Sequence, residues 1–235
     1  MDETRKPRIL IADDDRDIAF AISKLLSDEG YECERAYNGA EAVEAVRRAS
    51  FDLAVLDVMM PRIDGLSVMM KIRQSGNIPV IILSAKSEET DKILGLGMGA
   101  DDYVTKPYSP AELIARVRSA LRRYLVLGAG TQFVPGDRIR IGGLELNRAA
   151  KNVTVDGEPV KLTATEYKIL ELLMENKNRV FSPEEIYSRV WENDAYSVEN
   201  TVMVHIRRIR EKIEIDPKEP KYLVVVWGIG YKIEG

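Results

Sequence analysis

Four short apolar runs in the first half of the chain each end at polar residues, and this repetition constrains the fold most. The runs are Ile9–Ala12, Leu53–Leu56, Val80–Leu83 and Tyr103–Thr105, followed by Asp13-Asp14, Asp57, Ser84 and Lys106. Helical patterns separate the runs, and this β-α alternation predicts a parallel sheet with right-handed crossovers. Because sites in open parallel sheets lie beyond the carboxyl ends of the strands, these polar side chains are expected to converge.

The chain of 235 residues is long enough for two domains. Residues 1–124 predict an α/β domain whose five-stranded, doubly wound parallel sheet takes its second strand near Tyr31–Ala36. Residues 125–137, which contain three glycines and a proline, predict a linker. Residues 138–235 predict a separate α+β domain.

The pattern of the second domain differs from that of the first. Arg138–Leu146 and Asn152–Val160 predict short antiparallel strands, and Asp156-Gly157 predicts a hairpin turn. Three helices and a closing hairpin are expected after them. Their predicted bounds are Thr163–Asn176, Ser182–Val190, Val198–Ile213 and, for the hairpin, Tyr222–Ile233. Thr163 with Glu166, and Ser182 with Glu185, have capping-box spacing.

Composition excludes several classes of protein. Cys33 is the single cysteine and His205 the single histidine, so an internal disulfide and a zinc site of thiolate and imidazole ligands are both excluded. No apolar stretch approaches the roughly 20 residues of a membrane helix, so no membrane association is expected. A lone cysteine and a charged N-terminus suit a cytoplasmic protein.

The predicted sheet edge has the groups that phosphoryl transfer to a carboxylate requires. Mg²⁺ or Mn²⁺ neutralises charge on a phosphoryl group in transit, and such hard cations prefer oxygen ligands. Asp13 and Asp14 are suited to anchor the metal, with Asp57 as both ligand and nucleophile. Lys106 would pair with the phosphate, and Ser84 could donate a hydrogen bond to it.

Three motifs in this half resemble the receiver domain of two-component response regulators. They are Ile11-Ala12-Asp13-Asp14-Asp15, Leu56-Asp57-Val58-Met59-Met60-Pro61 with Asp64-Gly65, and Gly99–Pro107. The resemblance implies a flavodoxin-like fold, phosphorylation of Asp57, and Mg²⁺ bound by Asp13, Asp14, Asp57 and the Met59 carbonyl. It also implies that Ser84 and Tyr103 form a switch pair and that Lys106 contacts the phosphate.

The phosphoryl donor must be another protein. A histidine kinase supplies phosphohistidine, and His205, the sole histidine, lies in the other half of the chain. Enzymes of the haloacid dehalogenase kind also use an aspartate at a strand end, but they have a second aspartate two residues later. Met59 occupies that position here and cannot act as an acid or base. We therefore expect no enzyme, although a pseudo-receiver that works without phosphate is an alternative.

Six charged residues of the first domain are candidates for a dimer face. In the branch of the family whose second domain resembles this one, such charges pair across a symmetric dimer. The candidates are Lys92, Asp101, Asp102, Glu112, Arg116 and Arg123. Exposed ion pairs contribute only about 0–1 kcal/mol each, so they would determine how the two subunits align more than how tightly they bind. A homodimer strengthened by phosphorylation is expected.

The third helix of the second domain, Val198–Ile213, is basic although the chain has a net charge of −4. On a helical wheel its core stripe consists of Val198, Val202, Ile206, Ile209 and Ile213. Val204 and Arg208 fall on the other side, which predicts that they contact bases in a major groove. Arg207 and Arg210 are expected to contact phosphates.

The second domain resembles the winged-helix DNA-binding domain of the OmpR/PhoB family. The matching segments are Leu162–Tyr167, Asn200–Lys212 and Gly228-Ile229-Gly230-Tyr231. The resemblance implies that Val198–Ile213 recognises promoter DNA and that Tyr222–Ile233 carries the wing. The expected DNA contacts are Asn200, Thr201, Val204, His205, Arg207, Arg208, Arg210, Trp227 and Tyr231.

Two further expectations come from the resemblance. The loop Trp191–Ser197 would be available to RNA polymerase. Trp227 stands where the family usually has an arginine that enters a minor groove, and tryptophan lacks the charge for that contact. The segment Val226–Ile233 resembles the subgroup that contains the vancomycin-resistance regulator VanR.

The sequence thus predicts a DNA-binding response regulator with a phosphorylatable receiver. A winged helix that binds protein rather than DNA is the other alternative.

Overall fold

The computed structural model of the chain describes residues 5–85, 97–128, 138–191 and 198–235. The chain divides into two compact units, residues 1–124 and 125–235. Each unit has its own buried apolar core.

The first unit contains the predicted five-stranded parallel sheet, with the strand order β2-β1-β3-β4-β5. The strands are β1 (Arg8–Ala12), β2 (Glu32–Ala36), β3 (Leu53–Asp57), β4 (Val80–Ser84) and β5 (Asp102–Thr105). Every residue of β3 and β4 is buried. Parallel strands covered on both faces are continuously apolar, which is why these runs do not alternate.

The described helices of this unit are α1 (Arg16–Asp28), α2 (Gly39–Arg48), α3 (Gly65–Ser75) and α4 (Pro110–Gly128). Side-chain oxygens of Asp15, Asn38 and Asp64 accept backbone N–H groups at the first three helix starts. The helical pattern at Thr90–Leu96 lies outside the described residues.

The predicted linker was placed too early. Helix α4 continues through Leu125 to Gly128, so the first four residues assigned to the linker form its last turn. The physical reason is that no helix breaker precedes Gly128. The remainder of the predicted linker, residues 129–137, lies outside the described residues.

The second unit begins with a four-stranded antiparallel sheet in the order β6-β7-β8-β9. Its strands are β6 (Arg138–Ile141), β7 (Leu144–Asn147), β8 (Asn152–Val155) and β9 (Glu158–Val160). The helices α5 (Ala164–Glu175), α6 (Pro183–Trp191) and α7 (Val198–Ile213) follow, and then the hairpin of β10 (Leu223–Val226) and β11 (Gly230–Ile233).

Turn chemistry explains one confirmed prediction and one error in this sheet. The Asp156-Gly157 turn is present, and both residues have positive φ, 51° and 88°, as this hairpin turn requires. Arg138–Leu146 was predicted as one strand but forms two. The chain reverses at Gly142-Gly143, where Gly142 has a φ of 57° and a Cβ on Gly143 would lie 1.9 Å from Asp156 Oδ1.

Both predicted capping boxes are confirmed. Thr163 and Glu166 exchange side-chain and backbone hydrogen bonds at the start of α5. Ser182 and Glu185 do the same at the start of α6. These caps fix where the two helices begin, and hence how they pack beneath α7.

Candidate functional site

Polar side chains meet at the carboxyl edge of the parallel sheet, as the sequence predicted. Asp57 is the last residue of β3 and Ser84 the last of β4, while Asp13 and Lys106 directly follow β1 and β5. Asp13 is 1% exposed and Asp57 is 4% exposed, so two carboxylates are buried side by side. Such a pair requires a compensating positive charge.

Lys106 supplies that charge to both carboxylates. Its Nζ lies 2.8 Å from Asp13 Oδ2 and 2.6 Å from Asp57 Oδ1. The other oxygens accept backbone N–H groups, Asp13 Oδ1 from Asp15 at 3.0 Å and Asp57 Oδ2 from Met59 at 2.6 Å. Every oxygen of the two buried carboxylates therefore has a donor.

The electrostatics keep this lysine charged. Burial alone would lower the pKa of Lys106, but its hydrogen bonds and charge interactions with Asp13 and Asp57 outweigh burial and raise the pKa. Burial raises the pKa of Asp13, and Lys106 offsets only part of that effect. At neutral pH a fixed ammonium thus lies against Asp57, where it can stabilise added negative charge.

Asp14 does not join this pair, since its side chain is exposed whereas that of Asp13 points inward to Lys106. Among the described residues no group of three or more His, Cys, Asp or Glu side chains is placed to hold a metal. The two buried carboxylates still suit Mg²⁺ in donor chemistry, because this ion keeps several waters and needs only one or two carboxylates.

The loop after Asp57 is held against the backbone of the site. Gly65 N donates to Val58 O at 3.2 Å, and a Cβ on Gly65 would lie 2.1 Å from Asp57 O. Only glycine therefore permits this approach between the start of α3 and the end of β3. The Asp64-Gly65 pair, recognised in the sequence as part of a motif, acts by positioning Asp57.

We expect Gly65→Ala to destabilise the first unit by about 1–3 kcal/mol, the usual cost of overpacking. The new methyl group must displace the Asp57 carbonyl, so phosphorylation of Asp57 should slow as well. Denaturant unfolding measures the first effect and acetyl phosphate labelling the second. Gly76→Ala is the matched control, because a Cβ there meets nothing within 4 Å. Equal stability of the two variants would contradict the prediction.

The predicted switch pair, Ser84 and Tyr103, is buried. The two residues lie near the ends of the adjacent strands β4 and β5, and the backbone of Ser84 is joined to Lys106 by a 2.7 Å hydrogen bond from Lys106 N to Ser84 O. Ser84 is therefore close to the acidic site, whereas Tyr103 pairs with Ile82, two residues earlier in β4. Their coupling to phosphorylation stays a prediction.

The assignment of Asp101 to a dimer face is wrong. Asp101 is buried, and its Oδ2 accepts from Arg73 Nη2 at 2.6 Å and from Val80 N at 3.0 Å. Arg73 also donates to the Gly99 and Ile78 carbonyls, so it ties the end of α3 to the starts of β4 and β5. The Asp101 carboxylate therefore binds groups of its own subunit.

The other dimer candidates are also engaged within the chain. Arg116 Nη1 contacts both oxygens of buried Asp102 at 2.8 and 2.9 Å, and Arg116 Nη2 lies 2.9 Å from Glu112 Oε1. Arg123 is buried and donates to Ser119 Oγ at 2.7 Å. These charges were expected to pair between subunits, but α4 places its arginines beside β5 of the same subunit. Lys92 lies outside the described residues.

Helix α7 is buried on two sides, whereas the helical wheel predicted that only one stripe would be buried. Val202, Ile206, Ile209 and Ile213 lie in the core as predicted. However, Val204 is 5% exposed and Arg208 is 8% exposed, so the prediction that they face outward for base contacts is wrong. These residues, one turn apart, share a face that turns toward the start of α5.

The buried group that explains this orientation is Glu166, which is fully buried. Its Oε1 lies 2.9 Å from Arg208 Nη2, and its Oε2 lies 2.6 Å from Lys212 Nζ. Burial raises the pKa of Glu166, but the two cations prevail and hold the pKa below its ordinary value. Sequence reasoning had assigned Glu166 only to the capping box. It did not reveal that the same carboxylate also binds Arg208 and Lys212 of α7.

Further predicted DNA contacts differ in accessibility. Arg207 is exposed, with Nε 2.9 Å from Glu211 Oε1. Arg210 is half-buried and donates from Nε to Leu223 O at 2.7 Å. Both keep positive charge beside the solvent face of α7. Thr201 is half-buried as well.

His205 was predicted to contact DNA, but it is fully buried, so this prediction is wrong. Its ring packs 5.5 Å from that of Trp191, because α7 turns this position toward α6. The side chain of Asn200 lies outside the described part of the chain, as do residues 192–197 of the loop predicted for RNA polymerase.

The hairpin that was predicted as a wing is present, with antiparallel pairing from Leu223–Ile233 to Val226–Gly230. Trp227 in its turn is exposed, whereas Tyr231, one pair from the turn, is half-buried and bridged to Phe181. The hairpin therefore has a supported second strand and an apolar, solvent-exposed turn.

Comparisons with known proteins agree with both halves of this description. Residues 9–118 match the response regulator receiver domain, and residues 157–233 match the C-terminal domain of transcriptional regulatory proteins. A full-length relative, the regulatory protein VanR of Enterococcus faecium, is 42% identical over 228 residues, covering 97% of this chain and 98% of VanR. The chain belongs to the OmpR/PhoB family of response regulators.

Other relatives extend the same result. The transcriptional regulatory protein YcbL of Bacillus subtilis is 41% identical over 224 residues, covering 95% of this chain and 99% of YcbL. Among solved structures, the Thermotoga maritima response regulator DrrB, an OmpR/PhoB homologue, is 30% identical with a TM-score of 0.52. That match covers 98% of this chain and all of DrrB.

The chain is therefore a two-component response regulator with a receiver domain and a DNA-binding domain. As predicted, it belongs with transcriptional regulators and not with enzymes. None of the helices in the described residues has the length and apolar character needed to cross a membrane.

Proposed function

We propose that Asp57 accepts a phosphoryl group from a partner histidine kinase and that this event controls binding of the second unit to promoter DNA. The observation that carries the proposal is the ion pair between Lys106 and Asp57, 2.6 Å long, at the carboxyl edge of the sheet. Because Lys106 already contacts the buried carboxylate of Asp57, it can stabilise the negative charge that builds up there during phosphoryl transfer.

In the proposed step, one carboxylate oxygen of Asp57 forms a bond to phosphorus while the phosphorus–nitrogen bond of phosphohistidine breaks. The electron pair of that bond returns to the imidazole of the kinase. Lys106 then pairs with the phosphoryl oxygens, and Ser84 at the end of β4 can donate a hydrogen bond to one of them.

Mg²⁺ or Mn²⁺ would be held by Asp13, Asp57 and the Met59 carbonyl, and the exposed carboxylate of Asp14 would be a further ligand. When bound, the metal would neutralise negative charge on the phosphoryl group during its transfer. The donor set supports this assignment, because Asp13 and Asp57 place two buried carboxylates within reach of one cation. Their present cation, Lys106, would then share the pair with the metal.

For DNA binding, the proposal uses the exposed face of α7. Arg207 contacts phosphates, and Arg210 holds the hairpin beside the helix through Leu223 O. Thr201, Trp227 and Tyr231 remain proposed DNA contacts, and Asn200 is proposed from the resemblance. Loss of positive charge at Arg207 would weaken binding to all DNA sequences and reduce its salt dependence.

The partners and the subgroup belong to the same proposal. RNA polymerase is proposed to contact the loop Trp191–Ser197, and a homodimer is proposed to form on phosphorylation. Glu112, whose side chain is 36% exposed, has carboxylate surface available for a second copy. The resemblance of Val226–Ile233 to the VanR subgroup is the basis for proposing a VanR-like regulator of cell-envelope or antibiotic responses. The cytoplasmic location stays a prediction.

The proposed function predicts that phosphorylation tightens DNA binding. The full chain is treated with acetyl phosphate and Mg²⁺ and then used to select sites from a random-sequence DNA library. We expect one phosphoryl group per chain and an enriched sequence that binds the treated protein more tightly than the untreated protein.

Three other results would contradict the proposal in different ways. No phosphoryl incorporation would remove the receiver function. Equal DNA affinity with and without phosphate would instead favour a pseudo-receiver. Failure to enrich any DNA sequence would favour a winged helix that binds protein.

A further inference from the structure

A hollow lies beside the acidic site, between helix α1 and the segment that follows β5. Its volume is about 580 Å³, which is within the range of pockets that bind small molecules. One wall is a stripe of α1, and the other is the segment from the end of β5 to the start of α4. The walls include Ile18, Ala21, Ile22 and Leu25 of α1 with Lys106, Pro107 and Tyr108.

The sequence of α1 explains the apolar wall of the hollow. Its four wall residues are spaced i, i+3, i+4 and i+7, so their side chains share one side of the helix. Ile22 is buried, whereas Ile18 and Leu25 are half-buried and pack against the edge of the core. Ala21 is exposed between them, and its small methyl side chain leaves the space open. The hollow is therefore an apolar recess that one small residue keeps open.

Lys106 joins the hollow to the acidic site. It lines the hollow, and its Nζ lies 2.6 Å from Asp57 Oδ1. Burial chiefly raises the pKa of Tyr108, and the charges of Lys106, Asp13 and Asp57 also act on its hydroxyl group. Of the described residues that line the hollow, only Lys106 is charged. The hollow thus has an apolar interior and a positive end at the carboxylate proposed to accept the phosphoryl group.

Phosphoryl transfer to Asp57 directs the leaving group away from the carboxylate. The attacking and leaving oxygens lie roughly in line on opposite sides of phosphorus, so the group on the leaving oxygen extends outward from the sheet edge. The hollow adjoins this edge through Lys106. A donor with an apolar leaving group can therefore bury that group in the hollow while its phosphoryl group pairs with Lys106.

We propose that the hollow binds the acyl chain of an acyl phosphate, a small-molecule phosphodonor with an anionic phosphoryl group and an apolar tail. A carboxylate oxygen of Asp57 forms a bond to phosphorus, and the bond from phosphorus to the acyl oxygen breaks. The electron pair of that bond stays with the departing carboxylate, so the step needs no proton, oxidant or reductant. This inference rests on the proposed function, because it takes Asp57 as the phosphoryl acceptor.

A longer acyl chain should speed phosphorylation of the full chain. Burial of one methylene group is worth about four-fold, which corresponds to about 0.8 kcal/mol. With its two additional methylenes partly buried, butyryl phosphate should give a second-order rate constant about ten-fold larger than that of acetyl phosphate. Because the acyl chain occupies the hollow both in the bound donor and in the transition state, the gain should appear as a lower half-saturating donor concentration. Intact mass measures the labelling with each donor in the presence of Mg²⁺.

Ala21→Trp tests where the acyl chain lies, because the larger side chain fills the hollow. The ratio of the butyryl to the acetyl rate constant should fall from about ten to about one. Ala21 is exposed, so the replacement leaves the core unchanged. Ala40→Trp is the matched control, since Ala40 is also an exposed helical alanine of the first unit but does not line the hollow. In that variant the ratio should stay at about ten.

The outcomes separate the inference from the function on which it rests. Equal rate constants for acetyl and butyryl phosphate in wild type would overturn the acyl-chain site and leave the hollow to a protein partner, while phosphorylation of Asp57 stands. A preference for butyryl phosphate that persists in Ala21→Trp would place the acyl chain elsewhere and would also overturn the inference. A wild-type chain that neither donor labels would overturn the proposed function as well.

Discussion

Asp57→Ala is expected to lose all phosphoryl incorporation from acetyl phosphate. Asp57 is the carboxylate at the end of β3 that contacts Lys106 Nζ at 2.6 Å, and the variant leaves Lys106 paired only with Asp13. Asp13 cannot replace it as acceptor in the same geometry, because it follows a different strand. The fraction of protein that carries a phosphoryl group, measured by intact mass, should fall below one-hundredth of the wild-type level, a barrier increase of about 2.7 kcal/mol or more.

Asp15→Asn is the matched control for this experiment. Asp15 lies at the same edge of the sheet and caps α1 by accepting from Asp17 N and Ile18 N, and asparagine caps equally well. Its backbone N–H, which donates to Asp13 Oδ1, is unchanged by the substitution. Labelling should therefore persist. Retained labelling in Asp57→Ala, or loss of labelling in Asp15→Asn, would place the acceptor elsewhere.

The acidic site could be predicted because its residues are fixed by strand ends. A buried parallel strand is a continuous apolar run, so the sequence shows where β1, β3, β4 and β5 end. The geometry of parallel sheets then brings Asp13, Asp57 and Lys106 together without knowledge of the loops. The exposure of Asp14 was not predictable in this way, because it depends on how the chain turns after β1.

The dimer face could not be predicted by the same reasoning. Charges such as Asp101 and Asp102 are equally able to pair within a subunit or between subunits, and the sequence does not distinguish the two. Only the packing shows that Arg73 reaches Asp101 and that Arg116 faces Asp102. Arg73 was overlooked because it lies on α3, far in sequence from the carboxylate that it binds.

Helix α7 illustrates a limit of the helical wheel. The wheel identifies the most apolar stripe, which was correct, but it treats the remaining surface as solvent. A helix that contacts both α5 and α6 buries a second side, and polar residues there need partners. Arg208 and Lys212 find theirs in Glu166, a residue of another helix that periodicity within α7 cannot reveal.

Glu166 is for this reason expected to carry a large share of the stability of the second unit. Glu166→Gln retains a side chain that can complete the capping box with Thr163 but removes the negative charge. Arg208, which is 8% exposed, then loses its ion pair with Glu166 while it stays buried. Breaking a buried pair in this way typically costs about 3–5 kcal/mol, and we expect that loss in denaturant unfolding of the second unit.

Two further variants separate the charge effect from other causes. Glu211→Gln breaks the exposed pair with Arg207 and should cost at most about 0.5 kcal/mol. Adding Arg208→Met to Glu166→Gln should recover part of the lost stability, because the buried cation that lost its pair with Glu166 is then removed. A double variant as unstable as the sum of the single variants would mean that the two residues do not act through each other.

The same ion pairs predict how stability depends on pH. The pKa of Glu166 is lower in the folded chain than its ordinary value of 4.5, so the folded state binds the proton less readily than the unfolded state. The stabilisation by Arg208 and Lys212 is therefore fully present above about pH 4.5, and it is lost as the pH falls through the folded pKa. Glu166→Gln should be less sensitive to acid than wild type over that range. An identical acid dependence in both proteins would show that the charge of Glu166 does not stabilise the fold.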